Sequence, residues 1–153
     1  MTMYKRILVP LDGSNTAMLA LTEAVRLAKH YKARLRLIHV VDKLIFAPTV
    51  ETARSMANLQ ESLRKDGRRI LEKSEATVRK HRIRVESMIA EIVGGRVAES
   101  IVDQATKWPA DLIVMGTHGR RGINRVMMGS DAEQVIRTSP APVLAVRAKT
   151  SKR

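Results

Sequence analysis

The densest chemistry in the sequence lies between Leu112 and Ser130. The run Val114-Met115-Gly116-Thr117-His118-Gly119-Arg120-Arg121-Gly122 places three glycines within seven residues, with basic side chains between them. Apolar Leu112 to Met115 reads as a buried strand that ends at Gly116, and Met128-Gly129-Ser130 leads into the amphipathic segment Ala132-Glu133-Gln134-Val135-Ile136. Ser130 stands where a helix N-cap is expected. A strand therefore enters a glycine-rich basic loop, and the loop feeds a helix N-terminus. Glycine lets backbone N–H groups approach a ligand closely. A helix N-terminus adds unpaired N–H groups and partial positive charge, which suits a phosphate. Arg120, Arg121 and Arg125 add formal charge. Residue types alone leave a second reading open: a long surface loop with turn glycines and solvated arginines. Neither G-x-x-x-x-G-K-[ST] nor G-x-G-x-x-G occurs in the chain.

Other groups invite similar scrutiny. Asp12 ends a strand-like run and can accept from hydroxyls or hold a metal through water; as a plain residue it is a turn former beside a helix N-terminus. Ser130 can bond a phosphate through its hydroxyl and N–H while also capping a helix. His118, inside the loop, can donate to a phosphate or carry a proton near neutral pH, but an exposed loop histidine is the plainer reading. His30, His39 and His81 are assigned to other elements, so no Ser-His-Asp or metal-histidine spacing forms. The methionines read as packing and Trp108 as a core anchor.

These groups need elements to hold them. Arg6-Ile7-Leu8-Val9-Pro10 is a short buried strand, stopped at Pro10-Leu11-Asp12-Gly13. Ser14 is placed to cap a helix whose inward stripe is Ala17, Leu21, Ala24, Val25 and Ala28. Arg34 to Val41 is a second strand, and Asp42 to Val50 a loop. From about Glu51 to His81 the pattern is helical, with Met56, Leu59, Leu63, Ile70, Leu71 and Val78 inward. Arg64, Lys65, Arg68, Arg69 and Lys73 lie on the other side, and Gly67 marks a bend. Arg82 to Glu91 is a third strand, followed by the turn Gly94-Gly95 and a helix striped by Val97, Ile101, Ala105 and Trp108. After the glycine loop and fourth helix, Ala141 to Val146 is the last strand. Strand and helix alternate four times, so a single open, mostly parallel five-stranded sheet with helices on both faces is predicted. In such sheets ligands lie at the carboxyl ends of strands where strand order reverses. If the first and fourth strands are neighbours, one crevice lies between Pro10–Gly13 and Gly116–Gly122.

Bulk properties narrow the classes. A chain of 153 residues is predicted to form one domain, 1–147, with a flexible basic tail over 148–153. There is no cysteine, which excludes disulfides, thiol catalysis and cysteine-ligated metal, and suits the cytoplasm. No apolar run reaches the roughly 20 residues of a membrane span, so no membrane partner is expected, and no signal peptide is read at the N-terminus. Lys and Arg number 28 against 15 Asp and Glu, a formal net charge of +13 that attracts polyanions. The scarce aromatics, Phe46, Trp108, Tyr4 and Tyr31, argue against a base-stacking platform for single strands.

The spacing Gly116-x2-Gly119-x9-Gly129-Ser130 resembles the nucleotide-binding loop of the universal stress protein family, in its ATP-binding branch. Ile7 to Ser14, His39-Val40-Val41, Ala110 to Gly116 and Pro140 to Val146 resemble the family's opening, second, fourth and closing strands. The resemblance implies a Rossmann-like sheet in order 3-2-1-4-5 with four helices. It implies adenine and ribose near Pro10, Leu11, Asp12 and Val41, and a triphosphate over Gly116, Gly119, Gly129 and Ser130, flanked by Met115, His118, Arg120 and Asp131. It further implies magnesium with the phosphates, which Asp12 is placed to hold through water, and a homodimer through Val143 to Val146. Two positions depart from the pattern. Asp131 puts a carboxylate where phosphate would be repelled, and Ala132 lacks a hydroxyl, so ADP or AMP stands beside ATP as the nucleotide.

The function expected is that of an ATP-binding stress-response regulator in the cytoplasm without efficient catalysis. The alternatives are a polyanion or nucleic-acid binder using Arg64, Lys65, Arg68, Arg69, Arg79, Lys80, Arg82 and Arg84, and a slow ATPase. The absent Walker lysine and kinase signatures leave an efficient ATPase or kinase least supported.

Overall fold

The computed structural model describes residues 3–43, 49–118 and 128–149. The elements run β1 (Arg6–Pro10), α1 (Asn15–Tyr31), β2 (Arg34–Asp42), α2 (Val50–Arg79), β3 (Val85–Ile92), α3 (Val97–Lys107), β4 (Leu112–Gly116), α4 (Ser130–Thr138) and β5 (Val143–Val146). All pairings are parallel, and the strand order is β3-β2-β1-β4-β5. Alternation along the central strands divides the core in two. Ile7 and Val9 of β1, with Leu112 and Val114 of β4, pack under α1 and α2. Leu8, Ile113 and Met115 point the other way, under α3 and α4. Both faces of the sheet are therefore covered, which explains why β1 and β4 are apolar at successive residues.

α1 forms as its sequence predicts. The Ser14 hydroxyl accepts from the Ala17 N–H at 3.2 Å, and Ala17, Leu21, Ala24, Val25 and Ala28 are all buried. α2 departs from expectation. It is one continuous helix through Gly67, with no break there. A Cβ on Gly67 would sit 2.5 Å from Cδ2 of His39, so the glycine marks a close approach of helix to strand. The buried stripe of α2 is Gln60, Gly67, Leu71, Ser74 and Val78, and Leu59, one residue off it, is exposed. Arg64 is not outward either, because it reaches across to Glu91 of β3.

β3 begins at Val85, three residues later than read, because Arg82 adopts the left-handed conformation, φ 57°, and ends the preceding turn. β5 is likewise shorter than the run Ala141 to Val146. At the head of β4 the Asp111 carboxylate accepts from the backbone N–H groups of Lys5 at 3.1 Å and Arg6 at 2.8 Å, tying β4 to the start of β1. Trp108 is buried against the second core cluster, with the guanidinium groups of Arg34 and Arg36 over its ring at 5.4 and 4.7 Å.

Candidate functional site

The sheet opens between β1 and β4. Their pairing covers Ile7–Leu112 and Leu8–Ile113 and goes no further. Beyond that, each strand follows its outer neighbour: the Leu11 N–H donates to Ile38 of β2 at 2.8 Å, and the Thr117 N–H donates to Val146 of β5 at 2.9 Å. Pro10, which has no N–H to donate, stands where the strands part. A cleft of about 620 Å³ lies at this carboxyl edge.

Ten of the sequence-predicted site residues fall within the described chain, and the structure brings all ten to this cleft: Pro10, Leu11, Asp12, Val41, Met115, Gly116, His118, Gly129, Ser130 and Asp131. Gly119 and Arg120, with Arg121, Gly122 and Arg125, lie outside the described residues. Leu11, Val41 and Met115 are buried and give the cleft apolar walls. The Asp12 carboxylate accepts from the Ser14 N–H at 2.9 Å, so the turn-forming role is realised, while the same residue lines the cleft.

Gly116 is fixed by packing as well as by position. A Cβ there would lie 2.8 to 3.0 Å from Thr16 and the Ala17 nitrogen, at the first turn of α1. The tight contact brings the start of α1 against the end of β4. The Thr16 hydroxyl donates to the His118 carbonyl across the same seam. His118 is half-buried rather than exposed, and its Nδ1 lies 2.9 Å from the Thr117 hydroxyl.

At α4 the sequence reading is corrected by one residue. Gly129 is the N-cap and Ser130 is the first helical residue. Gly129 donates its N–H to the Thr117 carbonyl at 2.7 Å, which places the cap one step earlier. Having no side chain, Gly129 cannot cap the N–H groups of the first turn, and Ser130, Asp131 and Ala132 all face the cleft. Those donors, with the positive end of the helix dipole, have the chemistry that suits an anion, with the Asp131 carboxylate beside them.

Sequence reading missed several lining residues, among them Ser14, His39, Val40, Asp42, Leu63 and Val97. His39 is the instructive one. Its Nδ1–H donates to the Leu11 carbonyl at 2.7 Å, so it props the lip of the cleft. Gly67, read as a bend, was the available signal that a bulky group lay beneath α2. Among the described residues, no group of three or more His, Asp or Glu is arranged to hold a metal by itself.

Fold and cleft define a doubly wound parallel α/β protein whose crevice sits where the strand order reverses. The family model described as the universal stress protein family matches residues 3–147. Universal stress protein MJ0531 of Methanocaldococcus jannaschii is 35% identical over 95% of this chain and 83% of its own. The solved structure of MJ0577 from the same organism superposes with a TM-score of 0.85 at 30% identity, over 97% of this chain and 99% of that one. A universal stress protein solved in complex with cAMP superposes with a TM-score of 0.69 at 25% identity, over 95% and 99% of the two chains. The chain belongs to the universal stress protein family. No helix among the described residues is long and apolar enough to cross a membrane.

Proposed function

We propose that this protein binds an adenine nucleotide in the cleft between β1 and β4 and acts as a nucleotide-responsive regulator in the stress response. One observation carries the reading: residues from four separate stretches, Pro10 to Asp12, Val41, Met115, Gly116 and His118, and Gly129 to Asp131, line a single cleft at the switch point of the sheet. Leu11, Val41 and Met115 suit the base, Asp12 the ribose hydroxyls, and the first turn of α4 the phosphates. Gly119 and Arg120 enter on the sequence motif alone. The family relative solved with cAMP supports a nucleotide as the ligand class. ATP is the form proposed, with ADP or AMP as the alternatives that Asp131 favours.

The donor set fits a magnesium ion carried in by the nucleotide. Such an ion keeps several waters and needs one or two carboxylates beside the phosphates. Asp12 would hold it through water, and it would offset the charge of Asp131 and Asp42 at the cleft wall. No lysine or arginine is among the described lining residues to neutralise a transferring phosphoryl group, so hydrolysis is proposed to be slow. A homodimer through β5 is part of the same proposal. β5 is an edge strand that pairs with β4 alone among the described strands, and it exposes Leu144. The setting proposed is the cytoplasm.

The test is to purify the protein without added nucleotide, denature it, and analyse the supernatant by ion-exchange chromatography. Nucleotide near one per chain, or a rise in Tm with Mg-ATP, is expected. Protein that is empty and gains no thermal stability from millimolar Mg-ATP, Mg-ADP or AMP would overturn the reading.

A further inference from the structure

The opposite edge of the sheet holds a second cleft, of about 740 Å³, walled by the start of β1, the end of α1 and the α2–β3 connection. Its lining includes Lys5, Lys29, Lys32, Arg34, Arg82 and Arg84, and no acidic side chain among the described residues. None of these six makes an ion pair with a described Asp or Glu. The Arg34 head is turned onto Trp108, which leaves five uncommitted cations. The Asp111 carboxylate, at the head of β4, is occupied by the backbone N–H groups of Lys5 and Arg6.

The basic residues of α2 behave differently. Arg64, Arg68, Arg69 and Arg79 are paired with Glu91, Glu61, Asp66 and Glu75. Local carboxylates thus pair four of the seven Lys and Arg of α2, leaving Arg54, Lys65 and Lys73, whereas no carboxylate among the described residues lines the cleft. Helix dipoles do not account for it. α1 and α2 both end at this edge, and each contributes roughly −0.5 of a charge, so about one cation would balance the pair.

The backbone points the same way. Lys32, φ 55°, and Arg82, φ 57°, are the two non-glycine residues with positive φ in the described chain, and both line this cleft. Glycine or asparagine adopts that conformation with less strain. Lys32 is the left-handed C-cap of α1 and Arg82 closes the turn after α2, so the positions that end these two helices also bring cations to the cleft.

Shape and chemistry select the ligand. A concave cleft walled by three elements suits a compact anion rather than a broad surface. Tyr31, its aromatic lining residue, already meets Tyr4 and His30 edge-on, at centroid distances of 5.3 and 4.7 Å. Its ring is committed, so recognition falls to the cations and not to base stacking. We propose that the amino edge of the sheet is a second, anion-binding site that takes a linear oligophosphate through Lys5, Lys29, Lys32, Arg82 and Arg84. This inference is independent of nucleotide binding at the carboxyl edge.

The test uses the full chain and inorganic tripolyphosphate. Amide chemical shifts of the wild-type protein are mapped during titration, and affinity is measured by calorimetry for wild type and for the double variant Arg82→Asn, Arg84→Gln. Asparagine keeps the left-handed backbone at position 82. Shifts are expected at 29–34 and 81–84, with affinity reduced about tenfold or more in the variant and falling as salt rises. Shifts confined to 10–14 and 128–132, or equal affinity of orthophosphate and tripolyphosphate, would overturn the proposal. So would duplex DNA binding through Arg82 and Arg84 without tripolyphosphate binding, which would assign the face to nucleic acid. Should the double variant fold poorly, the wild-type shift map decides alone.

Discussion

The two ends of this sheet are chemical opposites. At the carboxyl edge the described cleft residues include three carboxylates, Asp12, Asp42 and Asp131, and no lysine or arginine. At the amino edge the described cleft residues include lysines and arginines and no carboxylate. Helix polarity runs against this pattern, since α4 directs its positive end to the acidic cleft and α1 and α2 direct their negative ends to the basic one. Side-chain charge is thus partly a complement to the dipoles, and the surplus over that complement is what distinguishes the edges. An anion at the carboxyl edge would be held by backbone N–H groups and an accompanying cation, whereas one at the amino edge would be held by side chains. The first mode is specific in geometry; the second is strong at low salt and weak in selectivity.

The sharpest way to break the contrast is Gly116→Val. The new side chain meets the backbone of α1 within 3.0 Å, and overpacking of this kind costs about 1–3 kcal/mol, or a Tm lower by roughly 2–12 °C. Thermal scans should find that loss together with loss of the Mg-ATP response, while tripolyphosphate binding at the far edge persists. Asp12→Ala removes the carboxylate proposed to meet the ribose hydroxyls. About tenfold weaker Mg-ATP binding by calorimetry is expected, the scale of one hydrogen bond to a charged group; unchanged affinity would place Asp12 in the turn alone.

Ser14→Ala removes the α1 cap, which accepts from the Ala17 N–H at 3.2 Å. A loss of about 1 kcal/mol in denaturant unfolding is expected, with the nucleotide response retained in direction. The smallest effect belongs to Arg36→Gln. Its guanidinium lies 4.7 Å from the Trp108 ring centroid and 3.1 Å from Glu86. A loss of about 0.5–1 kcal/mol is expected for the ring contact, with a change in Trp108 fluorescence and no change in either binding activity.

Much of this was legible in the residues. Strand–helix alternation gave the class of fold, and the apolar runs of β1 and β4 marked the covered centre of the sheet, because burial on both faces leaves no polar position. The strand order and the cleft-lining residues followed from resemblance at Pro10–Asp12 and Gly116–Ser130. The misreadings share a cause: periodicity reports which side of an element is apolar and says nothing of what lies opposite. Gly67 looked like a weak point in a helix because His39, the reason for it, lies 28 residues away in the chain. His39 looked unrelated to the loop because only the tertiary fold sets it under Leu11. Ser130 was one residue from its true role because the Gly129 to Thr117 bond, which sets the cap, is a non-local contact. The basic patch was placed along α2 and the turn after it by counting lysines and arginines, and local carboxylates on the same helix and on β3 pair half of it, Arg64, Arg68, Arg69 and Arg79.

The bond from Asp111 to the start of β1 has a consequence for the order of events in folding. It joins residues 105 and 106 positions apart, and the β1–β4 pairing beside it spans a similar length of chain. Closing so long a loop is entropically costly, and contacts of this kind form slowly. β1, β2 and β3, with α1 and α2, precede β4 in the chain, and α1 completes its packing only against Leu112 and Val114 of β4. The carboxyl-edge cleft has one wall from each half and comes into being only when β4 docks. An occupied cleft is therefore a mark of a finished molecule, and a ligand that binds there would draw the last step of folding forward by mass action.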